Sequence, residues 1–254
     1  MQKINFYEAM QQQQLHPYFQ PIVTLETGTV SGLEVRVRWR SDSGKSLTAS
    51  HVLKAAVHAE ESWTVDREMI KEAGDTPRIL KTQFLPPLSV TVNLSAHTAT
   101  NEDSLVNLNE LLQAGSIPSE YVKFELPYEA YCQAPDIVSD LIKDLTARGY
   151  GVILDHVNGT EFNLSNCNSA RCCIKLHEDL VSTALDNPDH ADKIRIISSL
   201  ATRQGLSIMA EGLSRMGQIR FLRDMGCREA QGPLIARPNT LGILLPLLKR
   251  GRCW

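Results

Sequence analysis

At 254 residues, with 43% hydrophobic and 22% charged residues, the chain has the composition of an ordinary globular protein and the length of one large domain or two small ones. A net charge of −3 provides no global basic field for direct DNA binding. No apolar run approaches the roughly 20 residues of a membrane span, and the N-terminal residues lack a signal-peptide pattern, so the expected location is the cytoplasm.

In chain order, spaced apolar positions predict a short helix over 3–15, then a strand over 18–23. Gly28 supplies the positive φ of a turn, and the period of two over 31–39 makes the next strand the second arm of a hairpin. On that strand Glu34, Arg36 and Arg38 share parity and therefore a face. Residues 41–45 read as a loop, with Thr48 or Ser50 capping a helix that begins near His51. A longer helical pattern runs to about Ile79 and ends at the Pro-rich turn 84–88.

Strands follow at 89–94, 121–126, 151–156, 172–176, 206–210 and 228–234, with helices at 104–114, 136–148, 190–204, 215–225 and 240–249. This alternation, with no Pro/Gly/Ser-rich linker, predicts an α/β fold: a single (β/α)8 TIM-like barrel over 1–254. A doubly wound open sheet would carry a Gly-rich phosphate turn after its first strand, and none is present. The six cysteines have no C-x-x-C spacing and read as free thiols; adjacent Cys172 and Cys173 point to opposite sides of a strand.

A barrel places its chemistry at the C-terminal ends of its strands. Asn93, Glu125, Asp155, Lys175, Glu211 and Gln231 all fall at or near such ends. With Glu34, the residues Asn93, Glu125 and Asp155 form an oxygen-ligand set suited to Mg2+, Mn2+ or Ca2+. Each alone has a plainer reading, since strand-end Asn and Asp cap turns and Glu faces solvent; the recurrence on separate strands is what points to a site. Lys175 ends an apolar strand as a snorkelling lysine or as a cation that orients a water or phosphate. At Gln231-Gly232 the glycine permits close approach of a ligand.

These landmarks resemble the EAL domain, a barrel family whose active members hydrolyse cyclic di-GMP with two divalent metals. The likeness runs from Tyr18-Phe-Gln-Pro-Ile22 through Gly32-Leu-Glu-Val-Arg-Val-Arg-Trp39, Val92-Asn-Leu-Ser95, Phe124-Glu-Leu126, Ile174-Lys-Leu176, Met209-Ala-Glu-Gly212 and Met225-Gly-Cys227 to Gln231-Gly-Pro-Leu-Ile-Ala-Arg-Pro238. It implies that Glu34, Asn93, Glu125 and Asp155 are first-metal ligands. By the same resemblance Lys175 positions the attacking water, Gln231 lies beside it, and Glu211 is an acid near the metals. Arg38 would meet a phosphate and Gln20 a guanine.

The departures point the other way. The family's Glu-Ala-Leu is Glu34-Val35-Arg36, its paired aspartates are Asp155-His156, and the following Gly-rich loop reads Val157-Asn-Gly-Thr-Glu-Phe-Asn163. Glu125-Leu-Pro-Tyr128 lacks the loop-holding glutamate, and Glu211-Gly-Leu-Ser214 lacks a second acid. His156 offers a ligand for a softer ion such as Zn2+ but no negative charge. Arg36 either strengthens phosphate binding or blocks the pocket.

Three functions follow: an active phosphodiesterase, a non-hydrolysing cyclic di-GMP receptor, or a protein-binding regulator. The departures favour the third, with no cofactor required and with residual Mg, Mn or Ca binding as an option. A degenerate standalone barrel of this kind is similar to the YdiV-like anti-activators, which implies the FlhD subunit of the flagellar master transcription activator as partner, and neither DNA nor membrane.

Overall fold

The computed structural model describes residues 9, 12, 14–40, 46–48, 51–52, 59–165 and 167–254. Apolar residues at every second position set up a long hairpin: β1 (Leu15–Thr24) and β2 (Val30–Arg40) pair antiparallel from Leu15↔Trp39 to Ile22↔Gly32. Gly28 turns the hairpin with φ +67°, as its sequence position requires, and hydroxyl contacts of 2.6 and 2.7 Å link Thr24 to Thr27 and Thr27 to Thr29. The short β3 (Ser46–Leu47) pairs with the far end of β2.

Helix α1 (Ala59–Thr82) leads to β4 (Ser89–Asn93), which lies parallel to β2. Two helices, α2 (Ala96–Thr100) and α3 (Glu102–Gln113), precede β5 (Val122–Pro127); α4 (Tyr128–Gln133) and α5 (Pro135–Ala147) precede β6 (Gly151–Val157). Then come β7 (Cys172–Leu176), α6 (Glu178–Thr183), α7 (Pro188–Arg203), β8 (Ser207–Ala210), α8 (Met216–Asp224), β9 (Glu229–Ala230) and α9 (Leu241–Arg250). From β2 and β4 to β9 the neighbours are parallel, and β1 closes the ring by pairing antiparallel with both β9 and β2. The result is the expected single α/β barrel of eight strands, with one strand reversed because the chain enters through a hairpin.

Alternation divides each strand between two environments. Leu33, Val35, Val37 and Trp39 of β2 join the main core between sheet and helices, while Glu34 points into the barrel and is buried there. Inside, Ile22, Ile153 and Met209, with Cys173 against them, form a separate apolar cluster. Ile153, Cys173 and Met209 stand two residues before Asp155, Lys175 and Glu211, so on three strands an apolar floor lies one pleat below a polar group. Cys172, by contrast, packs in the outer core, on the opposite side of β7 as its parity demanded.

Several boundaries differ from the sequence reading. Leu15 already belongs to β1, and the helix read over 3–15 otherwise falls almost wholly outside the described residues, as do the 41–45 loop and Ser50. The Thr48 carbonyl accepts from the His51 and Val52 N–H groups at 3.0 Å. The strand read over 228–234 shrinks to Glu229–Ala230, because the Gln231 and Leu213 carbonyls accept from Leu213 and Leu234 N–H and turn the chain. Helices α2, α4 and α6 span five or six residues each, too short for a 3.6-residue period to show.

Candidate functional site

Seven predicted residues from seven strands meet inside the barrel mouth: Glu34 from the middle of β2, Asn93 from β4, Glu125 from β5, Asp155 from β6, Lys175 from β7, and Glu211 and Gln231 just beyond β8 and β9. Lys175 is their centre. Its ammonium lies 2.8 Å from Glu125 Oε2, 3.2 Å from Glu34 Oε2, 3.3 Å from Asp155 Oδ1 and 4.0 Å from Glu211 Oε2, with no exposure to solvent. Asn93 Nδ2 donates to Glu34 Oε1 at 3.0 Å, and the Gln231 amide donates to Glu34 Oε2.

Arg36 joins this cluster from the same face of β2. Its Nε lies 2.8 Å from Glu34 Oε1, and its Nη2 donates to Glu34 Oε2 at 3.0 Å and also to Glu211 Oε1. Of the two alternatives read from sequence, the structure favours occupation of the site over a free phosphate-binding arm. Arg38, two residues on, turns away: it lies 5.6 Å over the Tyr18 ring and donates to the Val37 carbonyl. Gln20 is also outside the acid cluster, its amide donating to the Ala236 carbonyl at 3.2 Å. Both line a cavity of ≈520 Å3 above the cluster, together with Asp66, His156 and Arg237.

The charges sort themselves accordingly. Burial opposes ionisation of Glu34, but Arg36 and then Lys175 more than offset it and hold the carboxyl well below its ordinary range. Burial likewise opposes charge on Lys175, yet Asp155, Glu125, Glu34 and Glu211 keep it protonated. Glu125 goes the other way, pushed well up by burial and then by the Glu34 charge despite its contact with Lys175. Asp155 is held low, burial being outweighed by Lys175 and by the His156 hydrogen bond.

His156 adopts φ +59°, a left-handed conformation that aims its ring back at its neighbour: Nδ1 lies 2.7 Å from Asp155 Oδ2, and Nε2 3.8 Å from Glu211 Oε2. Its pKa is raised, first by the hydrogen bond to Asp155 and then, against the effect of burial, by the Asp155 and Glu211 charges. The altered loop after β6 is held from α4. The Tyr128 hydroxyl donates to Glu161 Oε2 at 2.7 Å and accepts from Glu161 N–H at 3.2 Å, while the Tyr131 hydroxyl donates to the Asn163 carbonyl at 3.3 Å and accepts from Asn163 N–H at 3.1 Å.

Sequence reasoning missed both tyrosines as loop holders; the short α4 that aims them gives no periodic signal. It also missed Asp66, which is buried beside the cavity, accepts from Ser95 N–H at 2.8 Å and has its pKa pushed up to about 6 by burial. At Gly232 a Cβ would stand 2.3 Å from Leu213 N and O, so the glycine admits a close backbone approach within the chain, and it also lines the cavity.

The donor types suit a divalent cation, and Glu125 Oε1 and Glu211 Oε2 are buried without hydrogen-bond partners. The arrangement nevertheless does not fit one. Glu34, the carboxylate at the centre of the expected ligand set, already receives Asn93, Arg36, Lys175 and Gln231 on its two oxygens, and Arg36 fills the gap between Glu34 and Glu211. At the rim Asp155, His156 and Glu211 bring ligand atoms within 4.8 Å of one another, a set outside the Glu34 pocket.

A closed α/β barrel with an acidic, lysine-centred mouth defines the class, and comparison gives the family. The EAL domain model matches residues 5–238, and the chain belongs to that family. It is 27% identical over 226 residues to the cyclic di-GMP phosphodiesterase RocR of Pseudomonas aeruginosa, covering 87% of this chain and 56% of RocR. It is 23% identical over 242 residues to the bifunctional diguanylate cyclase/cyclic di-GMP phosphodiesterase MucR of the same organism, covering 94% of this chain and 35% of MucR. The chain therefore spans little more than half, or less, of these relatives. Its fold matches the PaMucR phosphodiesterase in its c-di-GMP complex with a TM-score of 0.84 at 22% identity, over 94% of this chain and 98% of that one. The FimX EAL domain from Pseudomonas aeruginosa bound to c-di-GMP matches with a TM-score of 0.75 at 18% identity, over 93% and 97% of the two chains. Among the described residues no helix is long and apolar enough to cross a membrane.

Proposed function

We propose that this EAL barrel does not hydrolyse cyclic di-GMP and acts by binding another protein, with the FlhD subunit of the flagellar master transcription activator as partner and repression of flagellar genes as the outcome. The observation that carries the loss of hydrolysis is His156. Two-metal hydrolysis needs carboxylates between and around both ions to lower the pKa of the attacking water and clamp the phosphate. The residue after Asp155 instead brings an imidazole, whose ring nitrogen pairs with Asp155 at 2.7 Å and supplies no negative charge. The partner is supported by the likeness of a degenerate EAL barrel to the YdiV-like anti-activators.

Two measurements test this. Purified chain incubated with cyclic di-GMP and Mg2+ or Mn2+ should give no linear dinucleotide; turnover that disappears in Glu34→Ala would overturn the inactive reading. Size-exclusion chromatography with light scattering should show a complex with purified FlhD, and two separate peaks at micromolar concentration would remove that partner.

One observation favours a second reading, a cyclic di-GMP receptor. The ≈520 Å3 cavity has Gln20, Arg38 and Arg237 on its walls beside Glu34, Asp155 and Glu211. Calorimetric titration with the dinucleotide decides, since absence of heat at micromolar ligand excludes a receptor.

A further inference from the structure

We infer that Arg36 is a built-in counter-ion: its guanidinium holds the place of a divalent cation between Glu34 and Glu211, and an ion enters that place only when this side chain is removed. The inference goes beyond the loss of hydrolysis, which His156 carries, and is independent of any protein partner.

The geometry assigns this role in three ways. First, Arg36 bridges carboxylates from two different strands, Glu34 on β2 and Glu211 beyond β8, through Nε at 2.8 Å and through Nη2 to both acids. Bridging acids across a barrel mouth is what a cation does there. A guanidinium does it with a planar fork of donors, where an ion would do it with coordination bonds.

Second, most of the acceptor capacity of Glu34 is taken. A carboxylate offers about four lone-pair sites. Glu34 Oε1 accepts from Asn93 Nδ2 at 3.0 Å and has Arg36 Nε in ion-pair contact at 2.8 Å, while Oε2 accepts from Lys175 Nζ at 3.2 Å, from Arg36 Nη2 at 3.0 Å and from the Gln231 amide. A metal ion needs bare lone pairs at roughly 2.0–2.6 Å and would have to displace charged donors from Oε2 and the guanidinium lying against Oε1.

Third, the chain supplies countercharge to these acids from its own side chains. Glu34, Glu125, Asp155 and Glu211 face the two cations Lys175 and Arg36, with His156 at the rim. Without Arg36 the cation nearest Glu34 would be Lys175 at 3.2 Å, and Glu211 would keep only Lys175 at 4.0 Å and the His156 ring at 3.8 Å. Arg36 itself is shielded, its side chain 24% exposed. Its backbone position two residues beyond Glu34 on one face of β2 lets the stem fold back over the acid.

Calorimetric titration of the full chain with Mn2+ and with Ca2+ alone, in parallel with thermal melts in chelator and in metal, tests the inference. The wild-type chain should show no saturable binding up to millimolar metal and the same melting temperature in both conditions. Arg36→Leu and Arg36→Gln should each melt lower in chelator, bind one equivalent of metal, and recover several degrees with metal at about 100 times its Kd. Adding Glu34→Gln to either variant should abolish the gain. If Arg36→Leu does not fold in chelator, refolding with Mn2+ gives the same readout: recovery supports the exchange of guanidinium for metal, and failure in both conditions overturns it. Saturable micromolar binding by the wild type that is lost in Glu34→Gln overturns it too, as do folded Arg36 variants that bind nothing. Since no dinucleotide enters these measurements, a phosphodiesterase result and a metal-binding result are read separately.

Discussion

Replacing Lys175 by methionine keeps the length and apolar character of the stem and deletes one buried charge. Its ammonium has no solvent exposure and touches Glu125 at 2.8 Å, Glu34 at 3.2 Å and Asp155 at 3.3 Å, so the variant leaves three buried acids without their shared cation. Removing one partner of a buried ion pair costs about 3–5 kcal/mol. For a chain of this size that corresponds to a fall in melting temperature of roughly 6–20 °C. The pH dependence follows from the depressed acids. Glu34 and Asp155 have folded pKa values below their unfolded ones, so they stabilise the fold above the unfolded carboxylate range and lose that contribution as pH falls through the folded values. Lys175→Met weakens that depression, so its penalty should be greatest near pH 7 and shrink towards pH 4. Thermal melts of wild type, Lys175→Met and Lys175→Met/Glu125→Gln across this range measure it, the double variant regaining part of the loss by removing the nearest acid. A single variant melting within about 2 °C of wild type at pH 7 would refute the reasoning, as would a penalty that grows on acidification.

Other consequences are open to measurement. The His156 pKa is raised in the folded state, so its stabilising contribution should be complete below its unfolded value near 6.5 and fade as pH rises through the folded one; NMR titration should show the raised value falling in Asp155→Asn. Tyr128→Phe removes both bonds to Glu161 and should cost about 1 kcal/mol while speeding amide exchange over 159–163; unchanged exchange there would show that the hydroxyl does not hold the loop. Asp66 has its pKa raised from 3.8 to about 6, so the folded chain binds the extra proton between those values and stability falls as pH rises through them. Asp66→Asn should therefore stabilise by up to about 3 kcal/mol at pH 7, in denaturant melts, with the gain vanishing below about pH 4. Gly232→Ala would press a methyl group against the Leu213 backbone and should destabilise by more than about 2 kcal/mol; a neutral melt would mean that the two segments separate readily.

Much of this site was legible before any coordinates, because a barrel couples two simple periodicities. Alternation put Glu34 and Arg36 on one face of β2, and strand-helix order put Asn93, Glu125, Asp155, Lys175, Glu211 and Gln231 at strand ends around one ring. What periodicity cannot reveal is where a long side chain spends its length. Arg36 and Arg38 share parity, yet one folds inward to two carboxylates and the other lies over Tyr18, a difference set by which acids stand opposite. The clasp of Tyr128 and Tyr131 on the loop after β6 was hidden for a related reason. It joins residues about 30 positions apart, through a six-residue helix too short to announce itself.

The apolar cluster of Ile22, Ile153 and Met209 lies beneath the acids inside the barrel. Above it Glu125 and Lys175 have no exposure, whereas the His156 side chain at the rim is 52% exposed. Bonded to Asp155 on one side and open to solvent on the other, His156 is the member of this charged network that bulk water reaches most directly.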